Sequence, residues 1–96
     1  MRVLLKAQLD THKANEAIRD GTLPKRMRTM METLRPEAAY FTAEGGSRTA
    51  LIVFDLADPS GIPKAVEPLL QDLDAKVDLS PVMNGEDLAK GLAALG

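Results

Sequence analysis

The stretch EAAYFTAEGGSRTALIVFDL, Glu37 to Leu56, decides how this chain folds, because it reads as a β-hairpin closed by Gly45 and Gly46. A Gly-Gly pair takes up the positive φ angles that two-residue hairpin turns demand, and the flanking residues are strand formers. With the turn placed there, Ala43 faces Arg48, Phe41 faces Ala50 and Tyr40 faces Leu51. Paired residues share a face of the ribbon, so the side chains fall into two sets. One set is Ala38, Tyr40, Thr42, Thr49, Leu51, Val53 and Asp55; the other is Ala39, Phe41, Ala43, Arg48, Ala50, Ile52 and Phe54. Both are mainly apolar, whereas an antiparallel sheet with one wet face shows one polar set. Both sides therefore need cover. Helices of the same chain supply one side, and the sheet of a second copy is the cheapest cover for the other.

Working outward toward the N-terminus, residues 2 to 9 alternate, with Val3, Leu5, Ala7 and Leu9 opposite Arg2, Leu4, Lys6 and Gln8, which is the period of a half-buried strand. Asp10, Thr11 and Asn15 then start a helix whose apolar stripe is Ala14, Ala17 and Ile18. The spacing predicts a break at Asp20 to Leu23, around Gly21, after which Pro24 opens a second run carrying Met27, Met30, Met31 and Leu34. Toward the C-terminus, Asp58-Pro59 caps a helix with Ile62, Ala65, Val66, Leu69, Leu70 and Leu73 on one face, kinked at Pro68. Ala75 to Val82 reads as a fourth strand, and Asn84-Gly85-Glu86-Asp87 starts a short terminal helix bearing Leu88, Leu92 and Leu95. The order βαββαβ plus a terminal helix is the split βαβ of the ferredoxin-like fold. The expected class is thus α+β, with an antiparallel four-stranded sheet in the order 4-1-3-2 and both main helices on one face.

The bulk properties set limits. A chain of 96 residues is the size of one domain, here residues 1–96, and a monomer of that length buries a modest share of its surface, which favours oligomerisation. A net charge of -2 argues against a general grip on nucleic acid or on anionic lipid, and Lys25-Arg26-Met27-Arg28 is too short to reverse that. The chain has no cysteine, so a disulfide framework, a thiolate nucleophile and a Cys-ligated metal are excluded. The N-terminal Met1 to Lys6 meets charge too early for a signal-peptide core, and no apolar run reaches the about 20 residues of a membrane span. A cytoplasmic protein without membrane contact is the expectation.

With the elements in place, the chain resembles the dimeric α+β barrel group, whose members lay two ferredoxin-like sheets face to face, and the resemblance covers almost the whole chain. Met1 to Lys6, Pro36 to Glu44, Arg48-Thr49, Pro81-Val82-Met83 and Glu86-Asp87-Leu88 resemble a set of small bacterial proteins of unassigned function. The resemblance implies a homodimer, or a larger assembly of dimers, and roles that range over cofactor-free monooxygenases, muconolactone-type isomerases, haem-handling enzymes, stress-induced proteins and ligand binders. Fold alone does not choose among them.

No phosphate loop, dinucleotide fingerprint, metal-spaced histidine cluster or nucleophile elbow occurs, so no cofactor and no metal is expected. The sole histidine, His12, sits between the first strand and helix; it reads as a surface or capping residue, or as an acid or base at a barrel mouth. Tyr40, the only tyrosine, reads as a half-buried phenol with a local partner, or as a cavity group orienting a polar ligand. Arg48 is a strand-end charge or an anion anchor. Lys6 and Asp78 lie on adjacent antiparallel strands, where they make either an ordinary ion pair or a displaced pair inside a cavity. The methionines of the second helical run read as core packing. The leading expectation is a homodimer enclosing a small, mainly apolar cavity for a modest organic ligand, with His12, Tyr40 and Arg48 at its rim and Lys6 and Asp78 inside. The alternatives are a cofactor-independent monooxygenase or isomerase, and a structural or regulatory dimer with a filled interior.

Overall fold

Nine segments build the chain, and the structure, a computed structural model, describes all residues from Met1 to Gly96. Strand β1 runs Arg2–Gln8, helices α1 and α2 run Thr11–Arg19 and Thr22–Leu34, and strands β2 and β3 run Ala38–Glu44 and Ser47–Asp55. A 3₁₀ turn at Pro59–Gly61 leads into α3, Ile62–Leu73, followed by β4, Lys76–Pro81, and α4, Gly85–Ala93. The four strands form one antiparallel sheet in the order β2-β3-β1-β4, the ferredoxin-like arrangement expected from the element order.

The hairpin has the register that the Gly-Gly turn predicts, with Ala43 opposite Arg48, Phe41 opposite Ala50 and Tyr40 opposite Leu51. Gly45 and Gly46 take φ of 60° and 82°, the left-handed pair that a two-residue turn requires. Gly21, at φ 79°, breaks the first helical region into α1 and α2, because a left-handed residue ends one helix and re-aims the chain for the next.

Alternation along the strands sends one set of side chains into the core. Val3, Leu5 and Ala7 of β1 and Ala50, Ile52 and Phe54 of β3 are buried with Ala14 and Ala17 of α1 and Ala65, Leu69 and Leu73 of α3. Leu23, Met27, Met30, Met31 and Leu34 of α2 pack against this cluster while staying partly exposed, as expected of flexible core packing. Helices α1, α2 and α3 therefore all lie on one face of the sheet. Their cover is centred on β1 and β3. At the β2 edge Phe41, although on the helix side by register, stays 59% exposed.

Short polar devices hold the helix starts. Asp10 caps α1 through the Lys13 N–H at 3.0 Å, and Asn84 and Asp87 form a reciprocal capping box at the start of α4. Asp58 accepts from the Ser60 hydroxyl at 2.7 Å and from the Ser60 N–H at 2.8 Å. These bonds hold its carboxyl below the ordinary carboxylate range, and the hydroxyl and N–H of Thr22 do the same for Asp20. A depressed folded pKa adds stability that is complete above the unfolded value and is lost as pH falls through the folded one. Wild type is therefore expected to be more stable than Asp58→Asn at about pH 5, with the urea midpoints of the two converging by about pH 2. A gap that persists unchanged into acid would show that the charge of Asp58 plays no part.

Candidate functional site

The sheet face turned away from α1 to α3 is the candidate site. Arg2, Leu4, Lys6 and Gln8 of β1 alternate onto it, beside Ala38, Tyr40, Thr42 and Glu44 of β2, Thr49, Leu51, Val53 and Asp55 of β3, and Lys76, Asp78 and Ser80 of β4. Its middle is apolar. Val53 stands between Leu4 and Ala38, and Leu51 between Lys6 and Tyr40; Leu4, Ala38, Leu51 and Val53 are all partly exposed, and Tyr40 is 68% exposed. No helix of the chain packs over this band.

Polar groups close the band at both ends. At one end the Arg2 guanidinium pairs with Glu37 and, at 3.1 Å, with Asp87, while the N-terminal amine meets Asp55 at 2.8 Å. The Glu37 hydrogen bond and charge, and then the charges of Asp87 and Asp55, raise the Arg2 pKa, so this side chain is a permanent cation. At the other end Lys6 Nζ reaches over β3 to Glu44 Oε1 at 2.7 Å, and Gln8 Nε2 donates to the Glu44 carbonyl at 3.4 Å. Thr49 lies between Gln8 and Thr42 in the sheet; it is buried, and its hydroxyl donates to the Ser47 carbonyl at 3.0 Å.

This geometry sorts the residues that the sequence singles out. Lys6 and Asp78 are direct cross-strand partners on the open face, as the topology predicts, yet the ammonium of Lys6 is engaged by Glu44, and Asp78 stays exposed. Tyr40 shares that face. Arg48 does not: it points to the helix side, where its Nη2 donates to Asn15 Oδ1 of α1 at 2.9 Å. His12 also belongs to the helix layer; it is 80% exposed, with Nε2 3.1 Å from Glu16 one turn along α1. The five residues thus divide into Lys6, Tyr40 and Asp78 on the open face and His12 and Arg48 on the covered side.

A second concavity was not anticipated. Between α2 and α3 runs a groove of ≈ 320 Å³, with Met27, Met30 and Leu34 on one wall, Pro68 and Leu69 on the other, and Lys25 and Lys64 among its lining residues. Pro68 has no N–H, so the Lys64 carbonyl lacks its helical donor on this stretch of α3. The signal was in the methionine stripe and in Pro68; periodicity identifies them as a packed face without showing that the two helices stand apart. Arg26 Nη1 bridges to Asp72 Oδ2 at 2.8 Å, tying α2 to α3 beside the groove.

No three His, Cys, Asp or Glu side chains are grouped to hold a metal ion, and no helix is long and apolar enough to cross a membrane. No protein-family model matches the chain, and no curated protein sequence matches it.

Proposed function

We propose that the protein works as a homodimer whose open sheet faces meet and enclose a small cavity for a modest, partly apolar organic ligand. One observation carries this reading: a strip of partly exposed Leu4, Ala38, Leu51 and Val53, edged by the exposed Tyr40, lies on the face of the sheet opposite α1 to α3. A sheet buries an apolar face or loses the free energy of hiding it, and a second identical sheet is the self-complementary cover. At the ends of the strip Arg2, the N-terminal amine and Lys6 are already paired with carboxylates, so two copies can meet apolar middle to apolar middle with the unpaired Lys76 and Asp78 kept at the β4 edge. The phenol of Tyr40 then supplies a hydrogen-bonding group at the edge of an otherwise apolar space, the pattern of small-molecule sites.

Sedimentation equilibrium over about 1 to 50 μM is the first test, with a dimer expected throughout; a monomer across that range would overturn the reading. A thermal-shift screen of small phenolic and cyclic compounds is the second. Tyr40→Phe is expected to weaken a hit by about three- to tenfold, the loss of one neutral hydrogen bond, while the dimer stays intact. If Tyr40→Phe instead lowers turnover of such a compound at unchanged affinity, the cofactor-independent oxygenase or isomerase reading replaces simple binding.

A further inference from the structure

Helix α4 is the least supported element of the chain. None of its residues is buried, and Leu88 and Leu92, continued by Leu95 in the turn that follows the helix, leave an apolar line in solvent, with Leu92 57% and Leu95 81% exposed. Nine residues are too few for a helix to hold itself in water, where about 12 to 15 are needed even for favourable sequences. Its start is nevertheless well fixed. The capping box satisfies its first N–H groups, and Asp87 is tied to Arg2 at the end of the open sheet face. Leu88 lines an open groove there together with Met1, Arg2, Asp55 and Met83, so the apolar line of α4 begins where the open face ends.

The size of the chain shows that surface is waiting to be covered. Its accessible surface is 6448 Å², against about 5,350 Å² for a folded monomer of 10.3 kDa, an excess of about 1,100 Å². One side of a stable protein interface buries about 800 Å². The radius of gyration of 15.1 Å likewise exceeds the about 12.5 Å of a self-contained domain of this length. A membrane surface is the poorer occupant, because α4 carries Glu86 and Asp87 with only Lys90 and offers no basic face to anionic lipid.

We propose that α4, with Leu95 just beyond it, is an arm that reaches across the dimer and seats Leu88, Leu92 and Leu95 on the β2 edge of a second copy, against Tyr40 on its open face. This rests on the face-to-face dimer proposed above. In the sheet order β2-β3-β1-β4, α4 leaves one edge while the exposed Tyr40 lies on the other. A two-fold axis running along the strands lays the β4 edge of one sheet over the β2 edge of its partner, which brings each arm to the partner's Tyr40 twice over. Each arm would then wall one side of the cavity, so that the ligand space is complete only in the dimer.

The absence of cysteine makes the test direct. Full-length chains carrying Leu92→Cys are mixed with differently tagged chains carrying Tyr40→Cys, the dimers are exchanged, and the mixture is mildly oxidised. A disulfide-linked heterodimer is expected, since the two Cα atoms must come within about 7 Å to be bridged. Chains carrying His12→Cys on the helix side serve as the control and are expected not to link. Leu92→Lys, a change at an exposed position that leaves the subunit folded, is expected to raise the dimer dissociation constant at least about tenfold. A wild-type dimer with no Leu92–Tyr40 link, or with Leu92→Cys chains linking only to each other, overturns the arm and leaves the facing sheets standing. A dimer indifferent to Leu92→Lys does the same. A wild-type monomer overturns both.

Discussion

Leu5→Ala is expected to destabilise the subunit by about 3 kcal/mol, within the 2 to 5 kcal/mol range for a buried leucine truncated to alanine. Leu5 is fully buried in β1, an interior strand of the sheet, with Ile52 and Leu79 as its cross-strand partners. Truncation removes its transfer free energy and leaves a hole between the sheet and the helices packed on it, which the surrounding core closes only in part. Only 15 of the 96 residues are buried, so few other contacts take up the loss. In a domain of this size each kcal/mol moves the melting point by about 4 to 8 °C, so a fall of at least about 12 °C is expected. The scan must be run at fixed protein concentration, because subunit association adds to the apparent stability. Leu70→Ala, on the exposed side of α3, is the control and is expected to cost no more than about 0.5 kcal/mol. Similar losses for both variants would mean that the core is not where the sheet alternation puts it.

The fold was legible where short-range chemistry carries it. The Gly45-Gly46 turn sets the hairpin register, alternation in residues 2 to 9 marks the central strand, Gly21 divides the first helical region, and Asn84 to Asp87 caps the last helix. Each of these signals is confined to a few neighbouring residues. The candidate site was less legible because it depends on which layer covers which strand. Register assigns Arg48 and Phe41 to the helix side, yet it does not tell that Asn15 of α1 accepts a hydrogen bond from the first and that the second stays 59% exposed. Likewise, strand order places Asp78 directly opposite Lys6, but a lysine is long enough to lean across a neighbouring strand. Its ammonium reaches Glu44 on β2, two strands away. The grouping of His12 and Arg48 with Tyr40 came from their nearness to strand ends, and only the faces separate them. The α2–α3 groove depends on the distance between two helices, which no periodicity reports.

Val53→Lys is expected to raise the dimer dissociation constant by about 100-fold or more while leaving the isolated subunit folded. Val53 is on the open face, flanked by Leu4 and Ala38, so a lysine there has no carboxylate directly beside it on either neighbouring strand. In a free subunit the side chain stands in water and the change costs no more than a surface strand substitution, under about 1 kcal/mol. Between two facing sheets the ammonium must be desolvated or must lie along the apolar strip to escape, and each such burial costs about 1 to 3 kcal/mol. A two-fold dimer suffers it at both copies, and 2.7 kcal/mol already corresponds to 100-fold. Far-ultraviolet circular dichroism and a urea titration of the dilute variant check that the subunit itself is unharmed, and sedimentation equilibrium reads the association. Since the ligand space is proposed to lie between the sheets, compounds that raise the wild-type melting point should lose that effect in the same variant. A variant that stays as dimeric as wild type would place the subunit contact elsewhere, with the β2 edge the next surface to test. Retention of the thermal shift by a monomeric variant would move the ligand from the sheet interface to the groove between α2 and α3, which a single chain already contains.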